Sequence, residues 1–484
     1  MSRLGASTNR WLTWFHRWAG VVLCLFFAMW FASGAVLHFV GFPSLRNSEQ
    51  RAASEPIGVS RIHLRPRDAL ERVPDAGELR LISVAGRPVY VARATGGVWQ
   101  SVAGDTGELL PSVSAAVARE VAEKFGRTAA AEVTGPLDYD QWIVHQRFDP
   151  YRPFFRVRLN DADRTDLYVS SRTGEVVQRT RFGERAWNWV GAVVHWIYFT
   201  PLRKSWSAWN QTVWWLSLAA VLSSGVGTWL GLLRMVSNRT AGRRGLSPFR
   251  GWMRWHHVIG LFASVIVVAW ILSGWLSMDH GRLFSHGEAS ATEVDQLRGM
   301  SVEAIADLTP LDLLAQLPPS TSIGFNALGG RAFLTTYGPL AQAPRVILTD
   351  QSFSSASLSL LPDALLQSAV TNVWPGAVRL QQSSSLDELY RRAESTGDDA
   401  AAFAFGTELR IYVDRFSGRS LAVMDSSRRD YAWIYYALHT LQFPGLIDHP
   451  EVRTIAVLLL LAVGFAFSIT GVVLSWVRLR REFA

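Results

Sequence analysis

Hydrophobic and polar positions separate into blocks along this chain. Four runs, Trp18–Val40, Val213–Leu233, Val258–Met278 and Thr454–Val477, hold 21 to 24 residues each and contain no Asp, Glu, Lys or Arg. At about 1.5 Å per residue, each reaches across a hydrocarbon core of about 30 Å, so each predicts a membrane-spanning helix. The first run is too long for the core of a signal peptide and lacks an evident small-x-small cleavage site, so it reads as a retained span. Between the runs lie two long mixed segments, roughly 42–212 and 279–453. Alternating patterns predict strands at Arg87–Arg93, Phe154–Leu159 and Asp166–Ser170 in the first, and at Arg331–Thr336, Arg345–Thr349 and Arg410–Asp414 in the second. Helical spacing fits Ser112–Phe125 and Pro362–Val373. Both segments therefore read as α+β.

Charge fixes an expected orientation. Only 18% of the 484 residues are charged, against about 25% in soluble domains. The net charge of +8 would suit nucleic-acid binding if it were spread over a domain. Its basic residues instead flank the apolar runs. Arg3, Arg10 and Arg17 precede the first; Arg234, Arg239, Arg243, Arg244, Arg250 and Arg254 lie around the loop between the second and third; Arg478, Arg480 and Arg481 follow the fourth. The positive-inside rule places these three stretches in the cytoplasm and both long segments outside, in the periplasm of a bacterium. Tryptophans crowd the run ends (Trp11, Trp14, Trp18, Trp214, Trp215, Trp252, Trp255, Trp476), as interfacial belts do. A bilayer is thus the expected partner and nucleic acid is not. The single cysteine, Cys24, excludes a disulfide framework, a thiolate zinc site and covalent heme attachment.

The chain also repeats itself. Tyr168-Val-Ser-Ser-Arg-Thr-Gly174 resembles Tyr412-Val-Asp-Arg-Phe-Ser-Gly418, 244 residues later. The same offset relates Arg185 to Arg429, Trp189 to Trp433, His195 to His439, Ser224 to Ser468, Gly227 to Gly471 and Arg234 to Arg478. An offset of 240 relates His16, Gly20, Ser33 and Gly34 to His256, Gly260, Ser273 and Gly274. The expected architecture is an integral membrane protein made by tandem duplication of one unit: span, outer segment, span. Parallel repeats of this kind are related by a pseudo-two-fold axis along the membrane normal, giving an all-α four-helix bundle beneath two α+β domains. The expected boundaries are 1–41 (terminus and first span), 42–186 (outer domain 1), 187–235 (aromatic helix and second span), 236–254 (basic loop), 255–278 (third span), 279–430 (outer domain 2) and 431–484 (aromatic helix, fourth span and basic tail).

Several of these stretches together are similar to a known family. Phe15-His-Arg-Trp-Ala-Gly20, Ser33-Gly34, Tyr168…Thr-Gly-Glu-Val176, Trp187-Asn-Trp-Val-Gly191…His195-Trp, His256-His-Val-Ile-Gly260 and Leu438-His-Thr440 resemble the PepSY-associated transmembrane-helix proteins. These include iron-regulated inner-membrane proteins and siderophore reductases. The resemblance spans nearly the whole chain. It implies four spans, periplasmic PepSY-like domains and, in the reductase members, two b-type hemes. PepSY domains elsewhere act as peptidase inhibitors.

Histidines at span ends carry the candidate chemistry: His16, His38, His195, His256, His257, His280 and His439. A histidine in or beside a bilayer is costly without a partner. Duplication makes His16 equivalent to His256 and His195 equivalent to His439, and a pseudo-two-fold axis turns equivalent residues toward each other. Two opposed neutral imidazoles suit a six-coordinate heme iron, and such sites are built from facing bundle helices. His16 with His256 would hold one heme b near the cytoplasmic face. His195 with His439 would hold another near the periplasmic face, on aromatic helices expected at Trp187–Phe199 and Tyr431–Phe443 and ended by Pro201 and Pro444. His257 could replace His256, and His38 with His280 could replace the outer pair. Arg17, Arg254, Arg203 and Lys204 are candidate propionate contacts. The small residues Gly20, Ser33, Gly34, Gly225, Gly227, Gly260, Gly274 and Gly471 would allow close helix contact or make room for a macrocycle.

No Gly-x-Gly-x-x-Gly, P-loop, His-Glu-x-x-His or Gly-x-Ser-x-Gly motif is present. The expected function is a di-heme electron carrier drawing on a cytoplasmic or quinol donor. By the resemblance, its periplasmic acceptor could be a ferric siderophore. The rival expectation is a non-enzymatic membrane protein whose PepSY-like domains bind a periplasmic protein or peptide.

Overall fold

The computed structural model describes the chain except residues 1–2, 95, 282, 340–341, 350–356, 382–383, 398, 408 and 484. The side chains of residues 3–7, Arg3 among them, also lie outside the described part. Among the described residues, four helices are long and apolar enough to cross a membrane: Arg3–Phe39, Trp206–Thr240, Gly251–Ser277 and Pro450–Phe483. Each covers one of the apolar runs to within one residue and extends beyond it into basic or polar sequence. Packing among the spans centres on Leu23, Phe31, Ala220, Ala263, Val267, Trp270, Val457 and Leu461. Phe31 lies directly on the backbone of the fourth span, where a side chain at Gly464 would overlap its ring. Small residues permit such contact where water supplies no driving force between helices. On the outer surface of the bundle Val22, Leu25, Phe262 and Val265 stand exposed, as lipid-facing side chains do.

The two long segments form three antiparallel sheets at one end of the bundle. The first segment supplies β1 (Ala76–Val84), β2 (Arg87–Ala94), β3 (Trp99–Ala103), β4 (Leu109–Leu110), β5 (Ala130–Leu137), β6 (Phe154–Leu159), β7 (Asp166–Ser170) and β8 (Val176–Thr180). The second supplies β9 (Ser322–Leu328), β10 (Arg331–Tyr337), β11 (Arg345–Leu348), β12 (Ser357–Leu358), β13 (Val378–Arg379), β14 (Ala400–Phe405), β15 (Leu409–Asp414) and β16 (Ser420–Met424). Strands β5 to β8 make one four-stranded sheet and β13 to β16 another. The remaining eight make a single sheet in the order β12-β11-β10-β9-β1-β2-β3-β4. β1 and β9 join its halves, with Arg80 opposite Gly324 and Ile82 opposite Ser322. The two outer segments thus share a sheet and a core that includes Leu79, Leu81, Ile323, Phe325 and Leu334.

Glycine turns close two of the hairpins. Gly174 (φ +72°) and Gly418 (φ +68°) take the left-handed conformation between β7 and β8 and between β15 and β16. Both turns reach β1: Glu175 pairs with Arg80 at 3.0 Å and Arg419 with Glu78 at 3.1 Å. Beneath each hairpin a buried tyrosine donates to a carboxylate, Tyr168 to Asp140 at 2.9 Å and Tyr412 to Asp387 at 2.7 Å.

Two expectations about helices are corrected. The expected helix Trp187–Phe199 is two pieces, Phe182–Val190 and Ala192–His195, broken at Gly191. A Cβ at Gly191 would lie 2.9 Å from Val36 and 3.1 Å from the Trp187 carbonyl, so the break is where the chain presses onto the first span. The expected helix Tyr431–Phe443 ends at His439 and runs from Ala432 as a π-helix. Such turns are rare and frequent at functional sites.

Candidate functional site

The bundle brings its histidines together in pairs. At the end carrying the basic loop, His16 of the first span faces His256 of the third, with ring centres 6.4 Å apart and planes at 37°. At the sheet end, His195 closes the short helix Ala192–His195 and His439 closes the π-helix. Their ring centres are 6.5 Å apart and their planes lie at 68°. We refer to these as the loop-side and sheet-side pairs.

The hydrogen-bond partners assign the tautomer of all four rings. His16 Nδ1 lies 3.0 Å from the Ser223 carbonyl, which can only accept. His256 Nδ1 lies 2.9 Å from Thr470 Oγ1, whose own proton goes to the Phe467 carbonyl at 2.6 Å. His195 Nδ1 lies 2.9 Å from Ser33 Oγ, which donates to the Met29 carbonyl at 2.6 Å. His439 Nδ1 lies 3.1 Å from Ser273 Oγ, which donates to the Trp270 carbonyl at 3.1 Å. Each partner consumes an Nδ1 proton, so each neutral ring keeps its Nε2 lone pair free. Burial pushes His195 down to about 3 and His439 down to about 4, so the sheet-side rings stay neutral.

Backbone contacts hold the rings in place. A side chain at Gly227 would overlap the His16 ring. Cβ atoms at Gly34, Gly274 and Gly471 would lie 3.7, 3.1 and 3.9 Å from His195, His439 and His256. Gly260 instead meets Phe467, while Gly20 and Gly225 face open space. Trp30 Nε1 donates to the His195 carbonyl at 3.1 Å, and Trp270 Nε1 donates to the Leu438 carbonyl at 3.3 Å. These indoles tie the sheet-side histidine helices to the first and third spans. Phe31 and Trp270, ring centres 5.8 Å apart, are buried within the bundle core.

The other candidates lie elsewhere. His257 hydrogen-bonds the Gly231 carbonyl through Nε2 at 2.9 Å and lies edge-on to Phe249. His38 bonds Thr454 at 2.9 Å, and His280 bonds Asn210 at 3.2 Å beside the Trp214 ring. Arg203 is fully buried, with its guanidinium against Tyr198, Trp206 and Trp209 and Nη2 donating to Gln146 at 2.7 Å. Arg17, Lys204 and Arg254 are exposed. Among the described residues, no three or more His, Cys, Asp or Glu side chains gather as metal ligands.

Sequence reading missed the supporting shell of Ser223, Thr470, Phe467, Tyr435 and the paired tryptophans. A signal for part of it exists: Trp30-Phe-Ala-Ser-Gly34 recurs as Trp270-Ile-Leu-Ser-Gly274. In both copies the Trp, Ser and Gly touch the sheet-side histidines or the helices that carry them.

A separate polar cavity of about 330 Å³ lies between the sheets, lined by Arg51, Arg80, Glu175, Tyr337, Asp414 and Arg419 among others. Its described lining takes no residue from the histidine-bearing helices.

A family model for the PepSY-associated TM region matches residues 13–478, nearly the whole chain. The chain belongs to the PepSY-associated transmembrane family. No curated relative and no solved structure matches the sequence. The four apolar runs, both long segments and both histidine pairs of this PepSY-associated protein fall inside the matched range.

Proposed function

We propose that this protein is a di-heme b-type electron carrier of a bacterial inner membrane. It would draw on a cytoplasmic or quinol donor and deliver electrons to a periplasmic acceptor, with a ferric siderophore the candidate. The observation that carries the reading is the arrangement of the two histidine pairs. Two imidazole nitrogens each about 2 Å from one metal ion set ring centres about 6 Å apart, close to the observed 6.4 and 6.5 Å. Four Nε2 lone pairs are free, and the Nδ1 protons are held as in metal-ligating histidines generally. A macrocycle supplies its own four equatorial nitrogens, so two protein ligands per iron suffice.

Duplication and topology support the same reading. Positions 240 or 244 apart occupy like places: Ser33 and Ser273 on the sheet-side histidines, Gly227 and Gly471 against the loop-side ones, Tyr168 and Tyr412 under the hairpins. The basic flanks favour a cytoplasmic loop side, with which the sheets would lie in the periplasm.

Bound heme would take up and release one electron at a time. The chain's part is to offer Nε2 of His16 and His256 on one side and of His195 and His439 on the other. Ser223, Thr470, Ser33 and Ser273 hold each Nδ1 proton. Phe31 and Trp270 fill the bundle core with apolar rings.

The rival reading, an outer region that binds a peptide or protein, draws on the polar cavity between the sheets. Vesicles separate the two. Heme-loaded protein in liposomes enclosing an impermeant ferric chelate, given an impermeant reductant outside, is expected to reduce the enclosed iron. His195→Ala should abolish that reduction. Equal rates for wild type, His195→Ala and protein-free liposomes would contradict the proposal.

A further inference from the structure

The two histidine pairs differ in a way their shared framework does not require. The loop-side planes meet at 37° and the sheet-side planes at 68°. In each pair one ring lies under a stacked aromatic. Phe467 covers His256 at 4.8 Å and 19°, and Tyr435 covers His439 at 5.6 Å and 19°. The positions 244 residues earlier are Ser223 and Gly191, which have no ring and cannot supply this clamp to His16 and His195. The exchange of Gly191 for Tyr435 also separates the helices. The first breaks at its glycine, whereas the second continues through Tyr435 as a π-helix that sets the tyrosine ring against His439.

We infer that Tyr435 and Phe467 are positioning residues that fix the planes of His439 and His256, and so make the two sites unequal carriers. This rests on the di-heme reading. An axial imidazole donates π density from orbitals perpendicular to its ring into two iron d orbitals. Nearly parallel rings act on one of the two and separate their energies. Crossed rings act on both and leave them close together. Ferric iron between crossed imidazoles therefore gives a strongly anisotropic paramagnetic signal with one large g value. Between more nearly parallel imidazoles it gives three resolved rhombic g values. Crossed rings also stabilise the ferric hole less, so the sheet-side site has the more positive potential. With hemes bound, that difference would favour an electron at the sheet end over one at the loop end.

The test is low-temperature paramagnetic resonance of the oxidised full-length protein, together with a redox titration. Wild type is expected to show one large-g signal and one rhombic signal, with the large-g species reduced at the higher potential. His195→Ala should remove the large-g signal and His16→Ala the rhombic one. Tyr435→Leu should move the large-g signal and its potential while leaving the rhombic signal in place; Tyr435→Phe, which keeps the ring, should preserve both. Phe467→Leu should alter only the rhombic signal. Two rhombic signals of one type in wild type, or a Tyr435→Leu spectrum identical to wild type, would overturn the inference and leave the di-heme reading intact. Absence of any low-spin ferric signal would overturn the di-heme reading itself. The wild-type spectrum decides the first point even if Tyr435→Leu does not fold.

Discussion

His439→Ala should purify with one heme in place of two and should no longer pass electrons to an acceptor on the sheet side. The variant removes one of the two Nε2 donors of the sheet-side pair, whose ring centres lie 6.5 Å apart. Losing a supporting hydrogen bond at a metal ligand costs about 10–100-fold in affinity, and losing the ligand itself should cost more than about 100-fold. The loop-side pair has its own partners, Ser223 and Thr470, so its heme should remain with an unchanged spectrum. His257→Ala and His38→Ala serve as controls, because these rings bond the Gly231 carbonyl and Thr454. Heme content by the pyridine adduct, with the reduced absorbance spectrum, reads the result. Retention of two hemes in His439→Ala, or loss of one in His257→Ala, would relocate the site.

Gly227→Val should empty the loop-side site alone. A Cβ at that position would overlap the His16 ring, and the two added methyl groups fill the space further. His16 must then swing away from His256 or the second span must retreat from the first. Overpacking of this kind costs about 1–3 kcal/mol, here concentrated on one ligand. The expected outcome is one heme per chain, sheet-side spectrum intact, with a lowered thermal midpoint in detergent. Gly225→Val, two residues away and facing open space, should keep both hemes. Gly471→Val should be milder than Gly227→Val, since its Cβ would meet His256 only at 3.9 Å. Equal heme contents in Gly225→Val and Gly227→Val would show that the His16 contact does not matter.

Features with a local physical signature were legible in the sequence. The spans were, because 21 to 24 uncharged residues have few other uses. The histidine pairing was, because like sequence offsets relate His16 to His256 and His195 to His439. Strand β2 runs Arg87–Ala94 and β6 runs Phe154–Leu159, both near their expected limits. Features that depend on distant partners were not. β1 pairs with β9, some 240 residues away, and nothing in Ala76–Val84 names that partner. Breakage at Gly191 follows from contact with Val36 on another helix. Arg203, a candidate propionate contact by sequence, is enclosed by Tyr198, Trp206 and Trp209. Such a cage gathers residues that the sequence scatters over a dozen positions. The supporting shell was hidden for a further reason: Ser223 acts through a backbone carbonyl, which any residue could supply.

The central claim is that four histidines hold two hemes in one chain, and one measurement addresses it most directly. Full-length protein purified in detergent from heme-supplied cells is examined by absorbance, oxidised and dithionite-reduced, with stoichiometry from the pyridine adduct. The account predicts two hemes per chain with sharp low-spin b-type bands. A colourless protein would contradict it.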